Sequence, residues 1–160
     1  MLLATPMSNP LAIYLHDHLA GAAFAIDLLE SLSDYYSGEA LGQLAAGWLI
    51  EVQQDQEVLQ RITDRAGKES SHLKEAAAWL AEKVSRLKLS HDAKGFGTFQ
   101  ALETLALGIF GKLELWRALK VIAEKDDRFR GIEFEELIAR AQRQYDQVEE
   151  NRLLVARSAF

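Results

Sequence analysis

An all-α bundle of long helices is the fold class the sequence predicts, on three observations. Apolar residues recur at alternating spacings of three and four along most of the chain, the period of one helix face. Nowhere do they alternate at every second residue, as a half-buried strand requires. The stretch from Thr98 to Lys125, TFQALETLALGIFGKLELWRALKVIAEK, has a middle that is apolar nearly all the way round, from Ala101 to Trp116, interrupted only by Glu103, Thr104, Lys112 and Glu114. A helix without a polar face is expected to be enclosed by others, so this one is placed as the central post.

Each element follows in order. Asn9-Pro10 is a helix start, with Asn as cap and Pro at the first helical position. The stripe Leu11, Leu15, His18, Ala22, Ala25, Leu29 and Leu32 predicts a first helix over residues 10–34, ended by the YYSG turn. A second helix is predicted over 39–66, with the stripe Leu41, Ala45, Trp48, Val52, Asp55, Leu59 and Ile62 and Gly67 as its stop. Ser70 or Ser71 would cap a shorter third helix over 71–89, with Leu73, Ala77, Leu80, Val84 and Leu87 inward. SHDAKGFG is a loop, after which Thr98 would cap the fourth helix, 98–125. The fifth, 132–159, carries Phe134, Ile138, Ala141, Tyr145, Val148, Arg152 and Val155 inward.

The chain has 160 residues, which suits one domain, 1–160, around a single core. It is 49% hydrophobic and 26% charged, the balance of a soluble globular protein rather than a disordered one. With 18 basic against 24 acidic residues and a formal charge of −6, nucleic acid is not an expected partner. The local basic run Lys83, Arg86, Lys88, His91 and Lys94 is explained by a solvated helix end. There is no cysteine, which fits a reducing cytoplasm and leaves no thiolate nucleophile or sulfur ligand. The opening MLLATPMSNP lacks the basic and apolar regions of a signal peptide, and no apolar run has the roughly 18–20 residues of a membrane span. Cytoplasmic location and no membrane contact are therefore expected.

Helix lengths then suggest topology. Short connections make the first and second helices one antiparallel hairpin and the fourth and fifth another. The third helix would return the chain along the bundle, so that the second and fourth run parallel. In such hairpins, positions at equal height add to about 73 in the first and about 256 in the second, to within one turn. His18 then falls level with Asp55, Lys112 beside Tyr145 or Gln144, and Glu103 beside Arg152. Glu51 comes opposite Lys112 if the parallel helices start level. Three interior pairs are expected: His18 with Asp55, Glu51 with Lys112, and Glu103 with Arg152. Buried charges need such partners, and pairs of this kind fix the register of an apolar bundle.

The long helices, the seam carboxylates and the crossover resemble the ferritin-like superfamily over essentially the whole chain. The segments HDHLAGAAFAIDLL and VEENRLLVARSA are similar to an uncharacterised bacterial branch of it. The resemblance implies two hairpins joined by a crossover and, in di-iron members, Glu on two helices with Glu-x-x-His on the other two. This sequence departs from that ligand pattern. Glu51-Val52-Gln53-Gln54 has Gln in the His position, and Glu149-Glu150-Asn151-Arg152 has Arg there. The first helix offers Leu19, Ala20, Gly21 and Ala22 at the height of Glu51, and Lys112 brings a cation where a ligand is needed. No metal is favoured. A single-metal site would use His18, Glu51 and Asp55, with iron or manganese as the ion.

Other features have simpler readings. His16 and Glu57 suit a surface ion pair, and Trp48, Trp79 and Trp116 suit core or interface positions. Gly108 and Gly111 would allow two helices to approach closely, and the GFG at Gly95–Gly97 makes no phosphate loop. No motif names a reaction, so the sequence leans away from an enzyme. The expected role is structural or interactive, in a homodimer formed through surplus apolar surface on the fourth helix. Two alternatives stand beside it: a di-iron or mononuclear carboxylate–histidine oxidoreductase, and a small-molecule binding module with an apolar pocket between helices, lined by Trp48 and Trp116.

Overall fold

The computed structural model describes residues 9–67, 78, 79, 82 and 95–160. Among them are four long helices and no strand: α1 (Pro10–Tyr35), α2 (Ala40–Ala66), α3 (Phe96–Ala123) and α4 (Phe134–Ala159). A 3₁₀ turn, Asp127–Phe129, lies between α3 and α4. The helix expected over 71–89 falls outside the described residues, apart from the helical Ala78, Trp79 and Glu82. None of the described helices is long and apolar enough to cross a membrane.

The helix ends follow local chemistry. Asn9 Oδ1 accepts from the Ala12 backbone N–H at 3.2 Å and so caps α1, with Pro10 behind it. The same amide donates Nδ2 to the Ala66 carbonyl at 2.9 Å, tying the start of α1 to the end of α2. At the α1–α2 turn, a Cβ on Gly42 would lie 2.1 Å from the Tyr36 carbonyl oxygen. Only glycine fits there. The expected Thr98 cap is corrected: α3 starts at Phe96, behind Gly95 with φ +83°, a conformation that an L side chain disfavours. Thr98 is instead buried, and its hydroxyl shares a 2.6 Å hydrogen bond with Tyr36 Oη.

Named contacts fix the directions. Tyr36 at the end of α1 meets Thr98 at the start of α3, so those two helices run antiparallel. Lys112 meets Gln144, and Glu103 meets Arg152, so α3 and α4 are antiparallel as well. Trp48, Glu51 and Asp55 meet Gln147, Gln144 and Arg140 respectively, which makes α2 antiparallel to α4. It follows that α2 and α3 run parallel, across the diagonal of the bundle. Around its perimeter α1 neighbours α2 and α3, and α4 neighbours the same two.

The core is in two halves. One gathers Leu15, Leu59, Ile62, Trp116, Leu119 and Phe134 around the α3–α4 turn. The other gathers Leu29, Leu32, Trp48, Leu102, Leu105 and Val148 around the α1–α2 turn. A polar layer separates them at mid-height. The described helices do not enclose α3: Leu107, Phe110, Val121 and Ile122 are exposed on it. A helix at the corner of a four-helix square has only two close neighbours, which cover part of its circumference.

Candidate functional site

Five side chains form the polar layer. On α2, Glu51 and Asp55 lie one turn apart and project from one face. On α4, Arg140 and Gln144 have the same spacing, and α3 supplies Lys112. The Lys112 ammonium donates to Asp55 Oδ2 at 2.6 Å and to Gln144 Oε1 at 2.5 Å. Arg140 donates to the other Asp55 oxygen, so both oxygens of this 2%-exposed carboxylate face cations. Gln144 bridges: its Oε1 accepts from Lys112 while its Nε2 donates to Glu51 Oε2 at 2.8 Å. A flipped amide would set NH₂ against ammonium and oxygen against carboxylate, so its neighbours dictate the orientation. Glu51 completes the chain at the rim, 3.2 Å from Arg143.

The pairing differs from the sequence expectation. Lys112 takes Asp55 rather than Glu51 and reaches Glu51 only through Gln144. No hydrogen bond joins His18 to Asp55, although both border the same cavity. Tyr145 does not reach Lys112; it packs against Phe110, with ring centroids 5.9 Å apart. Glu103 and Arg152 do meet, at 3.1 Å, on the wall of an open surface groove rather than in the interior. Arg152 also makes two 2.7 Å bonds to Glu149, which hold that carboxyl below its usual range, and it lies over the Phe99 ring. Arg140 was not anticipated. Its signal was present, since it lies one turn from Gln144 on the same face.

A cavity of about 80 Å³ opens beside this layer, among α1, α2 and α3. From α1 it is lined by His18, Gly21, Ala22 and Ala25. Val52, Asp55 and Gln56 line it from α2, and Gly108, Ile109, Lys112, Leu115 and Trp116 from α3. Trp48 is not on its wall; it is buried in the other half of the core and donates to Gln147 Oε1 at 2.9 Å. Gly108 and Gly111 do not serve close helix approach, because a Cβ on either would meet nothing within 4 Å. The same holds for Gly21. Small residues thus keep the cavity open without being needed for packing.

Two titratable groups on the wall are perturbed. Burial pulls the Lys112 pKa down, opposed by the Coulombic pull and hydrogen bond of Asp55. Burial likewise lowers the His18 pKa, with Asp17 opposing, so its imidazole is mainly neutral at pH 7. The His18 ring meets Tyr14 edge-on at 4.7 Å. Trp116 is fully buried, and its Nε1–H has no hydrogen-bond partner among the described residues. Neither ring nitrogen of His16 has one either, so the expected His16–Glu57 pair is not formed.

The layer does not fit a metal. Both oxygens of Asp55 are engaged by cations, and Glu51 is turned toward Gln144 and Arg143. Among the described residues no three His, Asp or Glu side chains converge as a ligand set. Comparison with known proteins gives no matching family model, no matching curated protein and no matching solved structure.

Proposed function

We propose that this chain is a ferritin-like bundle in which a buried cation stands where related bundles hold metal, and that it binds a small organic molecule in the cavity beside that cation. The carrying observation is an apolar cavity bordered by Lys112, Asp55 and His18, two of them with perturbed pKa values. Concave, mainly apolar space with a few convergent polar groups is what small-molecule sites consist of. Parallel α2 and α3 and the two hairpins support the ferritin-like part of the reading. A bound organic molecule in native mass spectrometry of the purified protein, absent from Gly108→Leu, is the expected result. Stoichiometric iron or manganese lost on Asp55→Leu would favour the oxidoreductase reading instead.

A structural or interactive role is the second reading, favoured by the 69%-exposed Leu107 beside Phe110 on α3 and by exposed Leu153 and Leu154 on α4. Contiguous apolar patches on a surface, unlike single exposed residues, are a common mark of an interface. On this reading the protein is a homodimer, and sedimentation as a monomer at micromolar concentration would count against it.

A further inference from the structure

We propose that the cavity takes a small organic monoanion, a short-chain carboxylate, with its head on the Lys112 ammonium and its chain against Ala22, Ala25, Val52 and Ile109. The inference rests on the pocket reading above and adds the charge and size of the ligand.

Charge comes first. Of the layer's charged groups, Lys112 and Asp55 line the cavity, and Asp55 is shared between Lys112 and Arg140, which does not line it. The one carboxylate on the wall therefore serves two cations. A lysine ammonium has three N–H donors, and Asp55 and Gln144 engage two of Lys112's. The third is uncommitted on a residue that lines the cavity. An amine ligand would add a third cation around Asp55, whose oxygens are already engaged. A neutral ligand would give that third N–H a weaker acceptor than a carboxylate does. The depressed pKa of Lys112 agrees, since an anion beside it restores what burial removed.

Size follows from volume. An engineered cavity of about 150 Å³ holds benzene, so one of about 80 Å³ holds a smaller body or a chain that emerges partly into solvent. Mid-helix glycine costs about 1 kcal/mol against alanine, yet Gly21 and Gly108 face open space where a methyl would fit. Packing gives no reason for either glycine. Both line the cavity, Gly108 at its exposed edge.

The test titrates the whole protein with butyrate, 1-butanol and butylamine by calorimetry, following tryptophan fluorescence in parallel. Butyrate is expected to bind in the millimolar range suited to about six non-hydrogen atoms, about tenfold tighter than butanol, with no binding of butylamine. Gly108→Leu fills the cavity from a position with room for the side chain's first atom, so it should fold and lose butyrate binding. Lys112→Met should bring butyrate down to the level of butanol. Equal binding of butanol and butyrate, or preferential binding of butylamine, would overturn the anion assignment and leave the pocket reading standing. No binding of any probe to the wild type would overturn both. Unchanged butyrate binding by a folded Gly108→Leu would place the anion elsewhere and overturn the assignment.

Discussion

Removing the buried carboxylate at position 55 is the sharpest perturbation of the polar layer. Asp55 is 2% exposed and accepts from both Lys112 and Arg140, while the Lys112 side chain is 14% exposed. Asp55→Leu leaves the ammonium in the core with only the Gln144 oxygen, and an uncompensated buried charge of this kind costs about 3–5 kcal/mol. Lys112→Met is milder, because Asp55 keeps Arg140; an expected cost of about 1–3 kcal/mol reflects the loss of the ammonium's bonds to Asp55 and Gln144 with no charge left unpaired. In the double variant no buried charge is stranded. Arg140 can turn to solvent, Gln144 keeps Glu51, and the expected loss is at most about 2 kcal/mol. The two changes should therefore be sub-additive by at least about 2 kcal/mol. Urea melts of the four proteins, followed by far-ultraviolet circular dichroism, measure this directly. Additivity within about 0.5 kcal/mol would refute the reasoning, because residues that meet as a buried pair cannot behave independently. Glu51→Leu in combination with Lys112→Met is the control. Glu51 reaches Lys112 only through Gln144, so their coupling is expected to be clearly smaller than that of Asp55 with Lys112.

Further predictions concern glycine, pH and capping. Gly42→Ala is expected to lose at least about 2 kcal/mol, because its Cβ would press on the Tyr36 backbone at 2.1 Å, whereas Gly108→Ala gains about 0.5–1 kcal/mol. Thermal melts distinguish the two signs. His18 has a lowered pKa, so between about pH 6.5 and its folded value the unfolded chain binds the proton more readily, and stability falls as pH falls. His18→Gln should flatten that part of the profile, and an unchanged pH slope would show that His18 does not carry it. Asn9→Ala removes both the α1 cap and the tie to Ala66, at an expected cost of about 1–2 kcal/mol. Faster amide exchange at the start of α1 and the end of α2 together would mark the tie.

Much of the fold was legible because apolar periodicity is a local property of sequence. The stripe on α2 matches burial at six of its seven positions, Ala45, Trp48, Val52, Asp55, Leu59 and Ile62. Short turns then left antiparallel hairpins as the simplest arrangement, and Asn9-Pro10 marked the first helix start outright. The start of α3 was misplaced because Thr98 resembles a cap in sequence. The left-handed Gly95 begins the helix three residues earlier and frees the hydroxyl for Tyr36. The cover of α3 was legible only in part: its apolar surface was visible in the sequence, but the other described helices leave Leu107, Phe110, Val121 and Ile122 exposed. Hydrophobicity says that a surface seeks cover and does not say which element provides it.

The pairing inside the layer was less legible, and the cause is geometric. Register arguments resolve about one helical turn, 5.4 Å, while choosing a hydrogen-bond partner requires well under half of that. Glu51 and Asp55 are one turn apart on the same face, so the height of Lys112 alone could not choose between them. Burial makes the choice. Asp55 is enclosed and Glu51 is about one-third exposed, and a desolvated ammonium gains most from the carboxylate that water cannot screen. Arg140 then follows from the same logic. A buried carboxylate has two oxygens to satisfy, and the residue one turn from Gln144 on α4 is a cation within reach of the second. The glycines at 21 and 108 gave the opposite kind of signal. They were visible in the sequence as breaks in helix propensity, but only the open space beside each shows that they face a cavity rather than a neighbouring backbone.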